Sequence, residues 1–159
     1  MEQGGKLHRI GVISDTHGIL REDVLQALEG SELILHAGDV GKEEILDALE
    51  QIAPVKVVRG NMDRESWTRK LPLTQAFEVK GTAIFMIHDL NLLDMDLKAG
   101  GFELVVHGHT HKPSIEDIDG VLYLNPGSAG PHRPSNPVSL AQVEVDENGV
   151  RACFIFLEG

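Results

Sequence analysis

Apolar residues follow two rhythms along this chain. In the first part, β-branched apolar runs alternate with segments of helical spacing. LHRIGVIS (7–14) is an apolar run ending at Asp15 and reads as a strand. REDVLQALEG (21–30) has apolar residues at 24, 25 and 28 and a glycine stop at 30, which predicts a helix. ELILHAGDV (32–40) predicts a second strand that ends at Gly38-Asp39. KEEILDALEQI (42–52) predicts a second helix, with acids in its first turn where the helix dipole favours them. VKVVRGN (55–61) predicts a third strand. Strand–helix–strand–helix–strand implies a parallel βαβ core.

From residue 75 the rhythm changes. QAFEVKGTAIFMIHD (75–89) reads as a hairpin turning at Lys80-Gly81. NLLDMDLKAGG (91–101) predicts a short helix with a glycine stop, and FELVVHG (102–108) a strand. SIEDIDGVLYLN (114–125) predicts a hairpin with its turn at Asp119-Gly120, a strong two-residue turn signal. SLAQVEVDENGVRACFIFL (139–157) predicts another, turning at Asn148-Gly149. A βαβ half followed by hairpins suits two sheets packed face to face with helices outside.

No internal repeat or linker divides the chain, so residues 1–159 read as one domain. Hydrophobic residues make up 42% of it, enough for a proper core. Cys153 is the single cysteine, which excludes an intrachain disulfide and argues against a thiolate zinc site. That usage fits a reducing, cytoplasmic setting. The opening MEQGGKLHRIGVI lacks a signal-peptide apolar region, and no run is long enough to span a membrane. The net charge is −11, from 14 Lys+Arg against 25 Asp+Glu. Such a surface repels nucleic acid and anionic lipid. A protein this acidic that handled phosphate esters would take its positive charge from bound metal ions.

Strand ends carry an unusual set of polar residues: Asp15 and His17, Asp39, Asn61, His88, then His109 and His111. Ligands of α/β sheets bind beyond the carboxyl ends of the strands. In D-x-H and H-T-H an extended backbone would put both outer side chains on one side. Gly38, Gly60 and Gly108 each precede one of these residues, where a missing Cβ allows sharp turns and close backbone approach. Singly, such residues are turn or cap residues. Together they would cost much desolvation energy without a cation. Imidazole, carboxylate and amide donors without thiolate suit Mn, Fe, Co, Ni or Zn. Seven donors are about right for two ions that share a carboxylate.

The ordered motifs Asp15-Thr16-His17, Gly38-Asp39, Gly60-Asn61, His88 and Gly108-His109-Thr110-His111 resemble the calcineurin-like metallophosphoesterase superfamily, and its small bacterial and archaeal phosphodiesterases in particular. The resemblance implies an α/β (α+β) fold, a four-layer αββα sandwich of two mixed sheets. It implies that Asp15, His17 and His111 hold one metal, Asn61, His88 and His109 a second, and Asp39 bridges the two. Mn²⁺ comes first among the candidates, then Fe, Ni, Co and Zn. It further implies hydrolysis of a small-molecule phosphodiester by a metal-bridging hydroxide, with Asp39, Asn61 and His109 as catalytic residues.

Two positions depart from the family pattern. Met62 stands where a histidine often assists the leaving group, and Asp89-Leu90 where Gly-His often follows the lone histidine. His36 and His107 lie outside the ligand pattern and read as packed strand histidines. Asn125-Pro126-Gly127-Ser128 reads as a rigid turn or a loop at the rim of the site, with Arg133 available to a substrate phosphate and His132 solvated. Leu90, Leu92, Leu93 and Met95 read as helix core, or else as the face of a homo-oligomer. The alternative function is a non-catalytic metal-binding scaffold of the same fold, as in eukaryotic trafficking coats. A storage or sensor protein ranks lower, since it would need a Cys/His-rich tract.

Overall fold

The computed structural model describes residues 8–132 and 134–157. In chain order its elements are β1 (His8–Ile13), α1 (Glu22–Leu28), β2 (Leu33–His36), α2 (Glu43–Glu50), β3 (Val55–Val57), β4 (Thr74–Val79), β5 (Thr82–Ile87), β6 (Leu104–Val106), β7 (Ser114–Ile118), β8 (Val121–Asn125), β9 (Val138–Asp146) and β10 (Gly149–Leu157). They build two five-stranded sheets, ordered β10-β9-β1-β2-β3 and β4-β5-β6-β8-β7. β1, β2 and β3 run parallel, as the βαβ pattern predicts, while β9 adds antiparallel to β1. In the second sheet β5, β6 and β8 are parallel, with antiparallel strands at both edges.

Period-two alternation assigns the two faces of each sheet. Ile10 and Val12 of β1 and Leu35 of β2 face inward, against Ile84 and Met86 of β5, Val106 of β6 and Leu124 of β8. Ile13 and Ile34 point the other way, onto Val24 and Leu28 of α1 and Ile45 and Leu49 of α2. Each large aliphatic side chain so buried contributes about 1.5–3 kcal/mol.

The outermost layer differs from the expectation. The segment 91–101 is not an α-helix. A 3-10 turn spans Leu90–Leu92, and a loop follows. Two aspartates break the apolar spacing into separate turns: Asp89 accepts from the Asn91 amide and Asp96 from the Ala99 amide. Leu90, Leu93 and Leu97 still pack on Phe85, Ile87 and Val105, whereas Leu92 and Met95 are exposed. The second sheet is thus covered by a loop where the four-layer scheme expects a helix.

Lys80-Gly81 and Asp119-Gly120 form two-residue turns with both residues at positive φ, the type I′ geometry that suits strand twist. The last hairpin turns one residue earlier than its Asn148-Gly149 signal suggests. Gly149 pairs with Asp146, leaving Glu147-Asn148 as the turn, because the Asp146 carboxylate captures the Asn148 amide at 2.8 Å.

Candidate metal centre

Asp15 and His17 follow β1, Asp39 follows β2, Asn61 follows β3, His88 follows β5, and His109 and His111 follow β6. The structure brings all seven to one end of the sandwich.

The sequence reading places D-x-H and H-x-H on extended backbone. The backbone does otherwise. Asp15, His17, Asp39, His109 and His111 have φ between 48° and 74°, in the left-handed region. Among the described residues, the only other non-glycine examples are the hairpin residues Lys80 and Asp119. Each such residue costs on the order of 1 kcal/mol and persists only where packing imposes it. Here it turns alternate side chains back over the strand ends. Glycines make room: a Cβ at Gly60 would run into Asp39, and one at Gly108 into Ser14 and Asp15.

Asp15 lies at the centre and is fully buried. Its Oδ2 accepts from Ser14 Oγ at 2.6 Å and from the His109 amide at 3.2 Å. Its Oδ1 has no hydrogen-bond partner, the only such buried side-chain atom among the described residues. Three imidazole Nε2 atoms ring that oxygen: His111 at 3.4 Å, His17 at 3.7 Å and His88 at 3.9 Å. Asp39 Oδ1 accepts from the Met62 amide at 2.8 Å, while Oδ2 sits 3.3 Å from His88 Nε2 and 3.8 Å from His17 Nε2. Asn61 Oδ1 is 3.0 Å from His88 Nε2 and 3.2 Å from His109 Nδ1.

A buried carboxylate oxygen left unpaired among imidazole nitrogens is a poor protein interior and a good cation site. Two overlapping donor groups have all their ligand atoms within 4.8 Å of one another, Asp15-His17-His111 and Asp15-Asp39-His88. Asp15 is the residue the two groups share, whereas Asp39 belongs to the second alone. Burial disfavours charge on His88, but its hydrogen bond to Asp39 and the charges of Asp15 and Asp39 outweigh that and raise its pKa. Burial pushes Asp39 the other way, and His88 more than offsets it, so the carboxyl pKa falls.

A layer of braces beneath the donors was not read from the sequence. The buried Asp63 carboxylate accepts amides from Asp39 and Gly60 on Oδ2 and from Val40 and Gly41 on Oδ1, at 2.9–3.3 Å. It ties the loop after β2 to the loop after β3. Its signal was the acid closing Gly60-Asn61-Met62-Asp63. Asn125 donates through Nδ2 to Gly108 O and Thr110 Oγ1, both at 3.0 Å, and Ser128 Oγ donates to Asp15 O at 3.1 Å. Residues 125–128 are all buried, and Gly127, at φ 83°, donates its amide to Asn125 Oδ1 at 2.9 Å, so they form the rigid turn and not a rim loop. His132 is exposed, as expected, and Arg133 lies outside the described residues.

His36 and His107 are both packed. Burial lowers the pKa of each to about 4, so each is neutral near pH 7. His36 Nδ1 accepts from the Gly38 amide at 3.1 Å, so its Nε2–H donates to Thr16 Oγ1 at 3.0 Å. Thr16 in turn donates to Val40 O at 2.8 Å, joining the loops that carry Asp15 and Asp39.

The chain is similar to known proteins in sequence and in fold. The model of the calcineurin-like phosphoesterase superfamily domain matches residues 9–148. The chain is 38% identical to a probable metallophosphoesterase of Methanothermobacter thermautotrophicus, over 80% of this chain and 81% of that protein. It is 30% identical to the phosphodiesterase YfcE of Escherichia coli K12, over 84% of this chain and 85% of that one. Among solved structures, Vacuolar Protein Sorting 29 of Cryptosporidium parvum shares the fold at a TM-score of 0.76 and 18% identity, covering 96% of this chain and 99% of that one.

Proposed function

Because this chain belongs to the calcineurin-like phosphoesterase superfamily, we propose that it is a divalent-metal-dependent phosphodiesterase. The carrying observation is the buried, unpartnered Asp15 Oδ1 with three histidine Nε2 atoms within 3.9 Å. We assign Asp15, His17 and His111 to one cation, Asn61, His88 and His109 to a second, and Asp39 to the space between them. The donors favour Mn²⁺, with Fe, Ni, Co or Zn as alternatives. When bound, two such ions would supply a water of lowered pKa and positive charge for the phosphoryl oxygens.

The chain's own residues orient the site. The Ala37 carbonyl accepts from His88 Nδ1 at 2.7 Å, which fixes the ring so that Nε2 faces inward. Asn61 aligns His88 and His109 through one oxygen. The His109 side chain is 38% exposed and forms the mouth, where it can meet a substrate phosphate. An anionic diester suits this acidic chain only at such a charge-compensated point. The −11 net charge speaks against stable nucleic-acid binding.

Metal removal tests the proposal. Chelator-stripped protein should not hydrolyse bis-para-nitrophenyl phosphate, and added Mn²⁺ should restore turnover to the native chain but not to Asp39→Asn. Protein that binds Mn²⁺, Ni²⁺, Co²⁺ or Zn²⁺ and turns over nothing would favour the scaffold reading, which at present rests on fold likeness to Vacuolar Protein Sorting 29.

Met62 sets a second expectation. It is 57% exposed and offers no proton where a histidine would. General acid catalysis contributes about 10²–10⁴-fold, so alkoxides should leave poorly. Turnover of bis-para-nitrophenyl phosphate should exceed that of a simple alkyl monoester by at least about 100-fold. Equal kcat/KM values would refute this.

A further inference from the structure

Beside the candidate metal centre lies a cleft of about 270 Å³. One wall belongs to the site itself, formed by the exposed Asn61 and an edge of the buried His88. The other wall is apolar, from Leu73, Ile87 and Leu92. Leu73 is 61% exposed and Leu92 72% exposed, although each borders the cavity. Apolar side chains that line a concave space beside a few polar groups are the usual make-up of a ligand pocket. Arg59 lines the same cleft, and its guanidinium has no ion pair or hydrogen bond among the described residues. In a chain with 14 basic against 25 acidic residues, a cation left uncommitted there is notable.

We propose that this cleft is the pocket for one ester arm of the substrate, and that the arm carries a flat aromatic or heteroaromatic ring. The inference rests on the phosphodiesterase reading above and narrows its substrate class. A phosphate met at the His109 mouth, beside Asn61, directs one of its two ester arms into the adjoining space. The volume suits a single substituted ring, since an apolar cavity of roughly 150 Å³ holds benzene. The leucines cover the ring faces, and the planar Arg59 guanidinium offers a stacking surface that an alkyl arm cannot use well. A methyl arm would leave the leucines wet.

Binding and turnover test this separately. The probes are methyl phenylphosphonate and methyl methylphosphonate, monoanions of diester shape with no ester arm other than methyl. Calorimetry on the Mn²⁺-loaded protein should show the phenyl probe binding at least about tenfold more tightly, the scale of discrimination a small apolar pocket provides. Leu73→Ser and Leu92→Ser, neutral changes at exposed positions, should each lower phenyl affinity several-fold more than methyl affinity. Ile118→Ser, an exposed apolar position away from the cleft, should keep the preference. Equal affinity for both probes, or equal losses for both in the serine variants, would overturn the pocket. In parallel, para-nitrophenyl phosphodiesters with methyl, phenyl or thymidine second arms share one leaving group. A phenyl preference in binding with no hydrolysis of any ester keeps the pocket and rejects the catalytic reading. Hydrolysis without arm preference rejects the pocket alone. If the phenyl ester exceeds methyl but thymidine does not, the ring is a simple aryl group; if both exceed methyl, nucleoside diesters belong to the class.

Discussion

Asp15→Asn should fold as well as the native chain in the absence of metal, yet lose most of its response to divalent cations. Native Asp15 Oδ2 already accepts two hydrogen bonds, from Ser14 Oγ and the His109 amide. An asparagine oxygen can occupy that position and accept both. Its NH₂ then replaces the unpartnered Oδ1, facing His111, His17 and His88 Nε2. A neutral His111 or His17 Nε2 can accept from it, whereas His88 Nε2 donates toward Asn61 and Asp39, so the amide gains a partner where the carboxylate oxygen has none. A buried acceptor without a partner costs about 1–3 kcal/mol, and the variant removes that cost. The same amide presents a donor where a cation needs an acceptor. Losing even a supporting partner of a metal ligand costs about 10–100-fold in affinity or activity. Replacing the central donor should cost more than about 100-fold in both. Thermal unfolding with and without Mn²⁺ gives the readout. Native protein should melt higher with Mn²⁺, by about 2.7 kcal/mol of stability at 100 times Kd. The variant should keep at most the smaller shift that a cation at Asn61, His88 and His109 provides. A Mn²⁺-induced shift in Asp15→Asn as large as the native one would refute a cation at Asp15 Oδ1.

Several features of this site were legible in the sequence because residue type alone carries them. Acids, amides and imidazoles at the ends of apolar runs cannot all be core, and parallel strands deliver their ends to one edge. Glycine before Asn61 and His109 suggested close backbone approach to an ion, and what the backbone approaches there is the side chains of Asp39, Ser14 and Asp15. The apolar run at 7–14 marked a strand, and the structure buries it on both faces, Ile10 and Val12 on one and Ile13 on the other.

Other features had no local signal. The left-handed backbone at Asp15, His17, Asp39, His109 and His111 is imposed by tertiary packing, because neither Asp nor His requires it. The 91–101 segment shows apolar residues at helical spacing, but the choice between one helix and two turns fell to Asp89 and Asp96, whose carboxylates compete for nearby amides. The aromatic-sized cleft draws Arg59, Leu73, Ile87 and Leu92 from separate segments. No stretch of sequence contains it.

Asp63→Ala should be among the most damaging changes outside the donors themselves. The Asp63 side chain touches none of the seven donor side chains, yet both of its oxygens are engaged. Oδ2 takes the amides of Asp39 and Gly60, and Oδ1 those of Val40 and Gly41. Hydrogen bonds to a charged acceptor are the stronger kind. Alanine would orphan amides in a buried pocket, at roughly 1–3 kcal/mol for each one that water cannot reach. A net loss of about 3–5 kcal/mol is expected, which lowers Tm by roughly 10 °C in a chain of this size. Asparagine should recover only part, since its NH₂ would meet amide donors on one side or the other. A purely structural role would stop there. Asp63 also joins the loop holding Asp39 to the loop holding Asn61, so Mn²⁺ affinity should fall by about 10–100-fold, as for other residues that orient metal ligands. Below its melting temperature the variant should then regain much of its turnover at high Mn²⁺, which Asp15→Asn should not. If Asp63→Ala kept native Mn²⁺ affinity while losing stability, its role would be limited to folding. The site's precision would then have to come from the remaining ties, the Thr16–His36 link and the Asn125 brace.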